Sequence, residues 1–354
     1  MTLPTPLKQP KKARVGLYSV GLEAYWEQFP GLRARLTEYG KFIETRMSAW
    51  GEVFNYGLVD TESAGRAAGE WLNAHHVDLV FCHAATYATS STVLPVHQLC
   101  SAPAVFLNLQ PTARLNYDGS TTGEWLAHCC ACPVPEFANA LNRAGIPFRV
   151  VSGLLGLPAT PAGSLTDEVT YERPEAVRAW REIEGWVRAA SARRTLRGSR
   201  FGFLGNTYSG MLDLYSDFTM IQAQTGLHVE VLELGDLARL LDEVTPGEVR
   251  DTRAEVEAMF ELSGDSPSDP IARRPTDEQL DWSCRVAVAQ ERLVREFDLD
   301  ALSYYVHGAP GSEDEKVQAG FIVGHSLLTA RGVPCAGAGD LRTAVALKIC
   351  DSLG

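Results

Sequence analysis

Short apolar, β-rich runs alternate with amphipathic stretches along most of the chain, and this alternation constrains the fold more than any other feature. Within the runs the hydrophobic residues are continuous or spaced by two, whereas between the runs they recur with the helical period. Because parallel strands require a crossover connection, usually a helix, the pattern predicts an α/β protein built from parallel sheets. Among its elements are predicted strands over 14–20 and 301–305 and predicted helices over 123–144 and 211–224. In such sheets ligands usually bind at the carboxyl ends of the strands.

The alternation divides into two parts of similar construction. A stretch rich in Gly, Pro, Ser and Thr at residues 152–164 interrupts it, and a long helical segment follows before it restarts. Residues 263–275 have the composition of a surface loop. The prediction is a flexible tail over 1–13, a first α/β domain over 14–165, a linking helix over 166–198, a second α/β domain over 199–332 and the beginning of a carboxyl-terminal domain over 333–354.

Charge and composition exclude several classes of protein. The 354 residues include 32 Lys and Arg against 44 Asp and Glu, a formal net charge of −12, which would repel the phosphates of nucleic acid. No apolar run reaches the length of about 18 residues that a membrane helix needs, and no secretory leader is recognisable. Most of the eight cysteines lie in apolar runs and are expected to be reduced core residues, namely Cys82, Cys100, Cys284, Cys335 and Cys350. We therefore expect a cytoplasmic protein without a nucleic-acid or membrane partner.

Two loops near the carboxyl terminus carry groups capable of chemistry. The segment HGAPGSEDE at 307–315 follows a predicted strand and enters a helix, so its carboxylates could bind a divalent metal or transfer protons. The alternative is a solvated loop whose acids complement the positive end of the helix. The segment CAGAGD at 335–340 places a carboxylate at a helix start, where Asp340 could cap the helix or orient the turn.

The segment HCCAC at 128–132 resembles a metal site only superficially. Adjacent cysteines point in different directions on a helix, and no second pair of ligands lies nearby to complete a tetrahedral site. We therefore expect packed thiols here.

Polar and aromatic residues also follow several predicted strands. Glu23 and Tyr25 follow the first strand, Gln110 ends the fourth, and Tyr208 occupies the matching place in the second domain. Such side chains could bind a polyhydroxylated ligand by hydrogen bonds, with Trp26 as a stacking face, or they could be ordinary loop residues.

Four longer segments carry a resemblance to a known family. They are RVGLYSVGLEAYWEQFPGL at 14–32, LNLQPTARLNYDGSTTGEWLA at 107–127, GFLGNTYSGMLDLYSDFT at 202–219 and RGVPCAGAGDLRTAVALKI at 331–349. Together they resemble the L-fucose and L-arabinose isomerase family. The resemblance implies two Rossmann-like domains plus a carboxyl-terminal domain, assembled as a homo-oligomer with active sites at subunit contacts. It further implies aldose–ketose interconversion with a divalent metal, usually manganese.

That reaction explains the residue types the resemblance transfers to this chain. A proton leaves one sugar carbon and returns to its neighbour through an enediol while a metal holds both oxygens, and two carboxylates and one cation suffice for this. The resemblance implies Glu315 as metal ligand and proton-transfer residue, with Glu313 as the alternative, and Asp340 as a support for the turn. The resemblance places the family's second catalytic glutamate at position 338. This chain has Ala338 there, and its side chain can neither bind a metal nor accept a proton.

Histidine ligands in the family come from a carboxyl-terminal domain that we expect this chain to lack, so the chain is either a fragment with an altered site or a degenerate member. Two interpretations of its function therefore stay open. The first is an isomerase of an L-arabinose or L-fucose type sugar, with Glu23, Tyr25, Gln110 and Tyr208 as contacts to its hydroxyls. The second is a non-catalytic sugar-binding or regulatory protein.

Overall fold

The computed structural model describes residues 5–166, 169–269, 271 and 273–354. They form two compact units. The amino-terminal unit is Lys12–Arg194, and the carboxyl-terminal unit is Thr195–Gly354 together with the described part of residues 1–11.

The amino-terminal unit is a parallel sheet with the strand order β2-β1-β3-β4-β5. Its strands are β1 (Arg14–Val20), β2 (Glu52–Val59), β3 (Leu79–His83), β4 (Ala104–Gln110) and β5 (Phe148–Leu154). Its helices are α1 (Tyr25–Gln28), α2 (Leu32–Met47), α3 (Glu62–Ala74), α4 (Ser90–Leu99), α5 (Thr122–Leu126) and α6 (Val134–Arg143), followed by α7 (Pro174–Leu196), which reaches the boundary between the units.

Strand β1 shows why the apolar runs are continuous. Val15 and Leu17 pack in one hydrophobic cluster, whereas Tyr18 and Val20 pack in another. Side chains of a strand alternate between its two faces, so both faces of this sheet are buried beneath helices. A strand buried on both sides has no polar face, which is the pattern seen in the sequence.

The carboxyl-terminal unit repeats the plan with the strand order β7-β6-β8-β9, again with parallel pairing. Its strands are β6 (Arg200–Gly205), β7 (His228–Leu232), β8 (Ala301–Tyr305) and β9 (Cys335–Ala336). Its helices are α8 (Phe218–Thr225), α9 (Leu234–Asp242), α10 (Pro246–Met259), α11 (Asp277–Glu296), α12 (Glu313–Ala330) and α13 (Leu341–Leu353).

Several helices begin at side-chain caps that the sequence encodes directly. Thr245 accepts a hydrogen bond from the backbone of Glu248, and the Glu248 carboxylate accepts one from the backbone of Thr245. Thr276 and Gln279 form the same reciprocal pair at α11. Such caps satisfy backbone donors that a helix start otherwise leaves unpaired.

The predicted α/β class with parallel sheets is confirmed. One helix predicted over 123–144 is wrong in detail, because a loop with Pro133 at its end separates α5 from α6. Another predicted over 211–224 is reduced to a short 3₁₀ turn at Leu212–Leu214 and α8. Residues 333–354 contribute β9 and α13 to the carboxyl-terminal unit.

The predicted tail over 1–13 and the predicted loop over 263–275 are described only in part, since residues 1–4, 270 and 272 lie outside the described residues. Within the tail, Leu7 donates its N–H to the Arg331 carbonyl, 2.8 Å away, and Lys8 forms an ion pair with Asp298 at 2.6 Å. Across the described ranges, none of the helices combines the length and the apolar character that crossing a bilayer requires.

Candidate functional site

The carboxyl-terminal sheet has a crevice where its strand order reverses. The connection after β6 leads toward β7, and the connection after β8 leads toward β9 on the other side. The two loops run in opposite directions and open a crevice between them, and open α/β sheets usually bind ligands in such a crevice. A cavity of about 770 Å³ lies there. Its lining residues are Phe203, Asn206, Thr207, Tyr208, Ser209, Tyr215, Ser216, Phe218, Tyr305 and His307.

A glycine at the end of β6 lets the loop turn across the end of β8. Gly205 has a φ of 79°, and a Cβ atom there would overlap with the carbonyl oxygen of Tyr305. Asn206 donates its backbone N–H to that same carbonyl over 2.9 Å. The close approach therefore requires glycine, and it places the three residues after Gly205 along the cavity wall.

Aromatic rings form much of that wall. The rings of Tyr208 and Tyr305 lie 5.0 Å apart between centroids, and His307 stacks on Tyr305 at 6.2 Å with an interplanar angle of 11°. Phe203 and Phe218 meet edge to face at 5.0 Å. Tyr208 is 47% exposed, so its ring is open to a ligand as well as to its neighbour.

The polar groups of the cavity are amides, hydroxyls and an imidazole, and among its lining residues in the described chain there is no Asp or Glu. These groups both donate and accept hydrogen bonds. Aromatic faces combined with neutral hydrogen-bonding groups suit a small, uncharged, polyhydroxylated molecule.

The predicted metal ligands, Glu315 and Glu313, lie in the first turn of α12 and are exposed. The Glu315 carboxylate accepts a hydrogen bond from Gly311 N at 2.5 Å, and its own N–H donates to the Ser312 hydroxyl at 3.2 Å. Glu313 pairs with Lys316 at 2.9 Å. In this structure both carboxylates are engaged in stabilising the start of α12, and neither lines the cavity described above.

Asp340 caps helix α13. Its carboxylate accepts hydrogen bonds from the backbone N–H and the hydroxyl of Thr343, at 3.0 and 2.6 Å. Ala338, two residues earlier, has a φ of 60°, in the left-handed region that glycine usually occupies. Its carbonyl accepts the N–H of Tyr208 at 3.0 Å, so the turn contributes to the site through its backbone.

The other predicted sugar contacts lie in the amino-terminal unit. Glu23 is exposed, and Tyr25 is half-buried, with an edge-on contact to Phe29 at 5.9 Å. Partial burial raises the pKa of Tyr25. Gln110 donates from Nε2 to Asn108 Oδ1 at 3.3 Å. That Glu23, Tyr25 and Gln110 bind a sugar remains a prediction.

The amino-terminal sheet reverses its order between β1 and β3, and the neighbouring residues at their carboxyl ends are Ser19 and His83. The Ser19 hydroxyl and His83 Nδ1 are 3.1 Å apart, and both side chains are buried. Burial lowers the pKa of His83 to about 3, so its ring is neutral at physiological pH. His83 Nε2 has no hydrogen-bond partner within the described chain.

The expectation of packed thiols at 128–132 is wrong for two of the three cysteines, because Cys129 and Cys132 are joined as a disulfide. They lie in the loop between α5 and α6 rather than on a helix, and this brings their Cα atoms to 5.6 Å. Four of the five cysteines expected in the core, Cys82, Cys100, Cys284 and Cys335, are buried and free, whereas Cys350 is free but exposed.

Manganese was expected to bind several oxygen or imidazole ligands together. In the part of the chain that the structure describes, no three side chains of His, Cys, Asp or Glu gather in a metal-binding arrangement. These residues do not supply a complete manganese site.

Sequence reasoning identified Tyr208 but missed Tyr305, Tyr215 and Phe218 as neighbours of it. Tyr305 ends a strand that the sequence predicts correctly, so its position at a carboxyl end was the available signal. The contribution of Tyr215 and Phe218 depends on how the loop after β6 folds back, which no local pattern encodes.

Comparison with known proteins gives one distant relative by sequence. L-arabinose isomerase from Serratia proteamaculans (strain 568) is 27% identical over 179 residues, which are 51% of this chain and 33% of that protein. The match thus spans about a third of the relative's length. No family model matches the chain.

Among solved structures, the similar chains include two solute-binding proteins of ABC transporters. One, from Burkholderia multivorans, is 12% identical with a TM-score of 0.24 and covers 92% of this chain and 97% of its own. Another, from Agrobacterium vitis and bound with α-D-tagatopyranose, is 10% identical with a TM-score of 0.22. The match covers 92% of this chain and 93% of that chain. At such TM-scores the likeness carries no conclusion about this chain.

Proposed function

We propose that this protein binds a small sugar or polyol in the cavity at the carboxyl ends of β6 and β8. The observation that carries the proposal is the lining itself, in which the rings of Tyr208, Tyr305 and His307 lie beside amide and hydroxyl groups. A sugar has apolar C–H faces and a rim of hydroxyls, so it can use both kinds of group. The cavity, at about 770 Å³, has the size of a small-molecule site.

Binding without turnover fits the residues around this cavity better than isomerisation does. The isomerase route described above places two carboxylates beside the reacting carbons, and no Asp or Glu is among the described residues that line this cavity. Ala338 offers none, and the carboxylate of Glu315 accepts a hydrogen bond from Gly311. The role expected for Glu315 in catalysis would require that carboxylate to leave its place at the start of α12.

Aldose–ketose isomerisation is the second candidate. It is favoured by the 27% identity to L-arabinose isomerase over half of this chain. If the chain acts as an isomerase, its sugar is of the L-arabinose or L-fucose type, its metal is manganese, and a homo-oligomer completes the site. Ketose formation would distinguish this candidate from simple binding.

Isothermal titration calorimetry with L-arabinose, L-fucose and an uncharged polyol, with and without Mn²⁺, tests the proposal. We expect saturable binding of at least one of them without added metal and no ketose in a colorimetric assay of the same samples. Metal-dependent binding with ketose formation would support the isomerase instead, and no binding of any of them would overturn the proposal.

A pair of tyrosine variants tests the position of the site. Tyr208→Ala removes a ring from the cavity wall, and we expect roughly tenfold weaker binding, equivalent to about 1.4 kcal/mol. Tyr117→Ala is the matched control, because Tyr117 is 76% exposed and lies in the amino-terminal unit. Equal affinities for the two variants would contradict the placement of the ligand.

A further inference from the structure

The disulfide in the loop between α5 and α6 joins one exposed and one buried cysteine. Cys132 is exposed, whereas Cys129 is buried with 5% of its surface accessible. The two cysteines are three residues apart in the sequence. Of the two cysteines, Cys132 is therefore the one that faces a nucleophile in solution.

A third cysteine between them takes no part in this bond. Cys130 is fully buried, and its thiol lies 3.6 Å from the carbonyl oxygen of Ala85, to which it donates. Burial raises the pKa of Cys130 to about 12. Since the thiolate is the reactive form, Cys130 is a poor competitor for exchange, and the reaction is confined to Cys129 and Cys132.

Contacts that do not involve the disulfide also hold this region. The Thr86 hydroxyl donates to the carbonyl of Leu126 at 2.7 Å, and Cys130 remains packed beside Ala85. The bond between Cys129 and Cys132 closes a ring of only a few residues, and a ring this short restricts the unfolded chain little. Opening it therefore leaves the surrounding fold in place, which is what reversible exchange requires.

We propose that Cys129 and Cys132 form a redox-active pair that exchanges with small thiols through Cys132. A thiolate of the small molecule attacks Sγ of Cys132, the bond between the two cysteines breaks, and its electron pair passes to Sγ of Cys129, which takes a proton from water. A second thiolate then attacks the small-molecule sulfur of the mixed disulfide and releases Cys132 as a thiolate. The protein disulfide is reduced to two thiols, and two small thiols are oxidised to one disulfide.

Alkylation of the folded full-length chain tests this proposal, with reduced glutathione as the probe. A Cys350→Ser background removes the exposed free cysteine, while the remaining free cysteines are buried. We expect N-ethylmaleimide to add to no cysteine before treatment and to Cys132 after treatment and removal of glutathione, as read by mass spectrometry of the peptides. Labelling of Cys132 before treatment, or no labelling after it, would overturn the proposal.

The direction of attack is tested with two single-cysteine replacements in the same background. Cys129→Ser leaves Cys132 alone, and we expect oxidised glutathione to form a mixed disulfide with it. Cys132→Ser leaves the buried Cys129, and we expect a rate at least tenfold lower. Comparable rates in two variants whose circular dichroism matches the parent would show that burial does not direct the exchange.

If either variant fails to fold, the parent chain still decides the question. Rapid acid quenching early in the glutathione reaction traps the mixed disulfide, and peptide mass spectrometry locates it. Glutathione on Cys132 is the expected result, and glutathione on Cys129 would overturn the proposal.

Discussion

The backbone N–H of Tyr208 donates a hydrogen bond to the carbonyl oxygen of Ala338 over 3.0 Å. This bond joins the loop after β6, which forms the cavity wall, to the glycine-rich turn after β9. In the same turn, Gly339 donates its N–H to the carbonyl of Tyr304 at 2.9 Å. The turn thus supports the candidate sugar site through main-chain atoms, and this support does not depend on the side chain at position 338.

Gly339→Ala is expected to destabilise the carboxyl-terminal unit and weaken sugar binding. Gly339 has a φ of 69°, and an added Cβ would overlap with Asn206 O and lie 2.8 Å from the Cα of Thr207. Strained backbone of this kind costs about 1–3 kcal/mol, which urea unfolding followed by circular dichroism can measure. Gly337→Ala is the control, since its Cβ would meet nothing within 4 Å. Equal losses in the two variants would contradict this account.

Glu315→Gln separates the two candidate functions. If the protein only binds a sugar at the cavity, we expect the dissociation constant to stay within about twofold of the parent, because Glu315 does not line it. If the protein is an isomerase, loss of this carboxylate should abolish ketose formation. Glu313→Gln provides the comparison, as it also removes one charge from the first turn of α12. Calorimetry measures the dissociation constant of each variant for the sugar, and the ketose assay measures whether each variant forms product.

The stability of the amino-terminal unit should fall as the pH decreases from about 6.5 toward 3. The folded protein holds His83 neutral, with a pKa of about 3 against an ordinary value of 6.5. The unfolded chain therefore binds the extra proton first, so the contribution of His83 is complete above pH 6.5 and is lost progressively below it. His97, buried with a pKa of about 4, acts in the same direction.

His83→Asn measures that contribution. Asn has no group that titrates in this range, so the variant should lose less unfolding free energy than the parent between pH 7 and pH 4.5, although it is less stable at pH 7 by about 1–3 kcal/mol. His76→Asn is the control, because His76 is exposed and has a φ of 48°, which Asn tolerates. A parent and His83→Asn with parallel pH profiles would show that His83 is not held neutral.

Local sequence signals predicted most of the elements in both units. The runs at Arg14–Val20 and Ala301–Tyr305 are strands as expected, because each is apolar enough to be buried on both faces of a sheet. The helix start at Asp340 is marked by a capping residue whose partner lies three positions away. The split between α5 and α6 was missed because the amphipathic pattern continues through Pro133 and the cysteines.

The candidate site was predicted only in outline. A resemblance confined to motifs selected Glu315, which the structure places in the first turn of α12, and the partner of its carboxylate depends on the path of the loop at Gly311. The cavity brings Tyr208 beside Tyr305, almost a hundred residues away, through pairing of β6 with β8. No short-range pattern could have indicated that contact.

The sequence by itself determined that this chain forms parallel sheets covered by helices, because the period of its apolar residues sets which faces can be buried. Only the tertiary structure decided which polar side chains share a cavity, which group the Glu315 carboxylate contacts and which cysteines pair. Those outcomes depend on strand order and loop paths, which bring together residues that are distant along the chain.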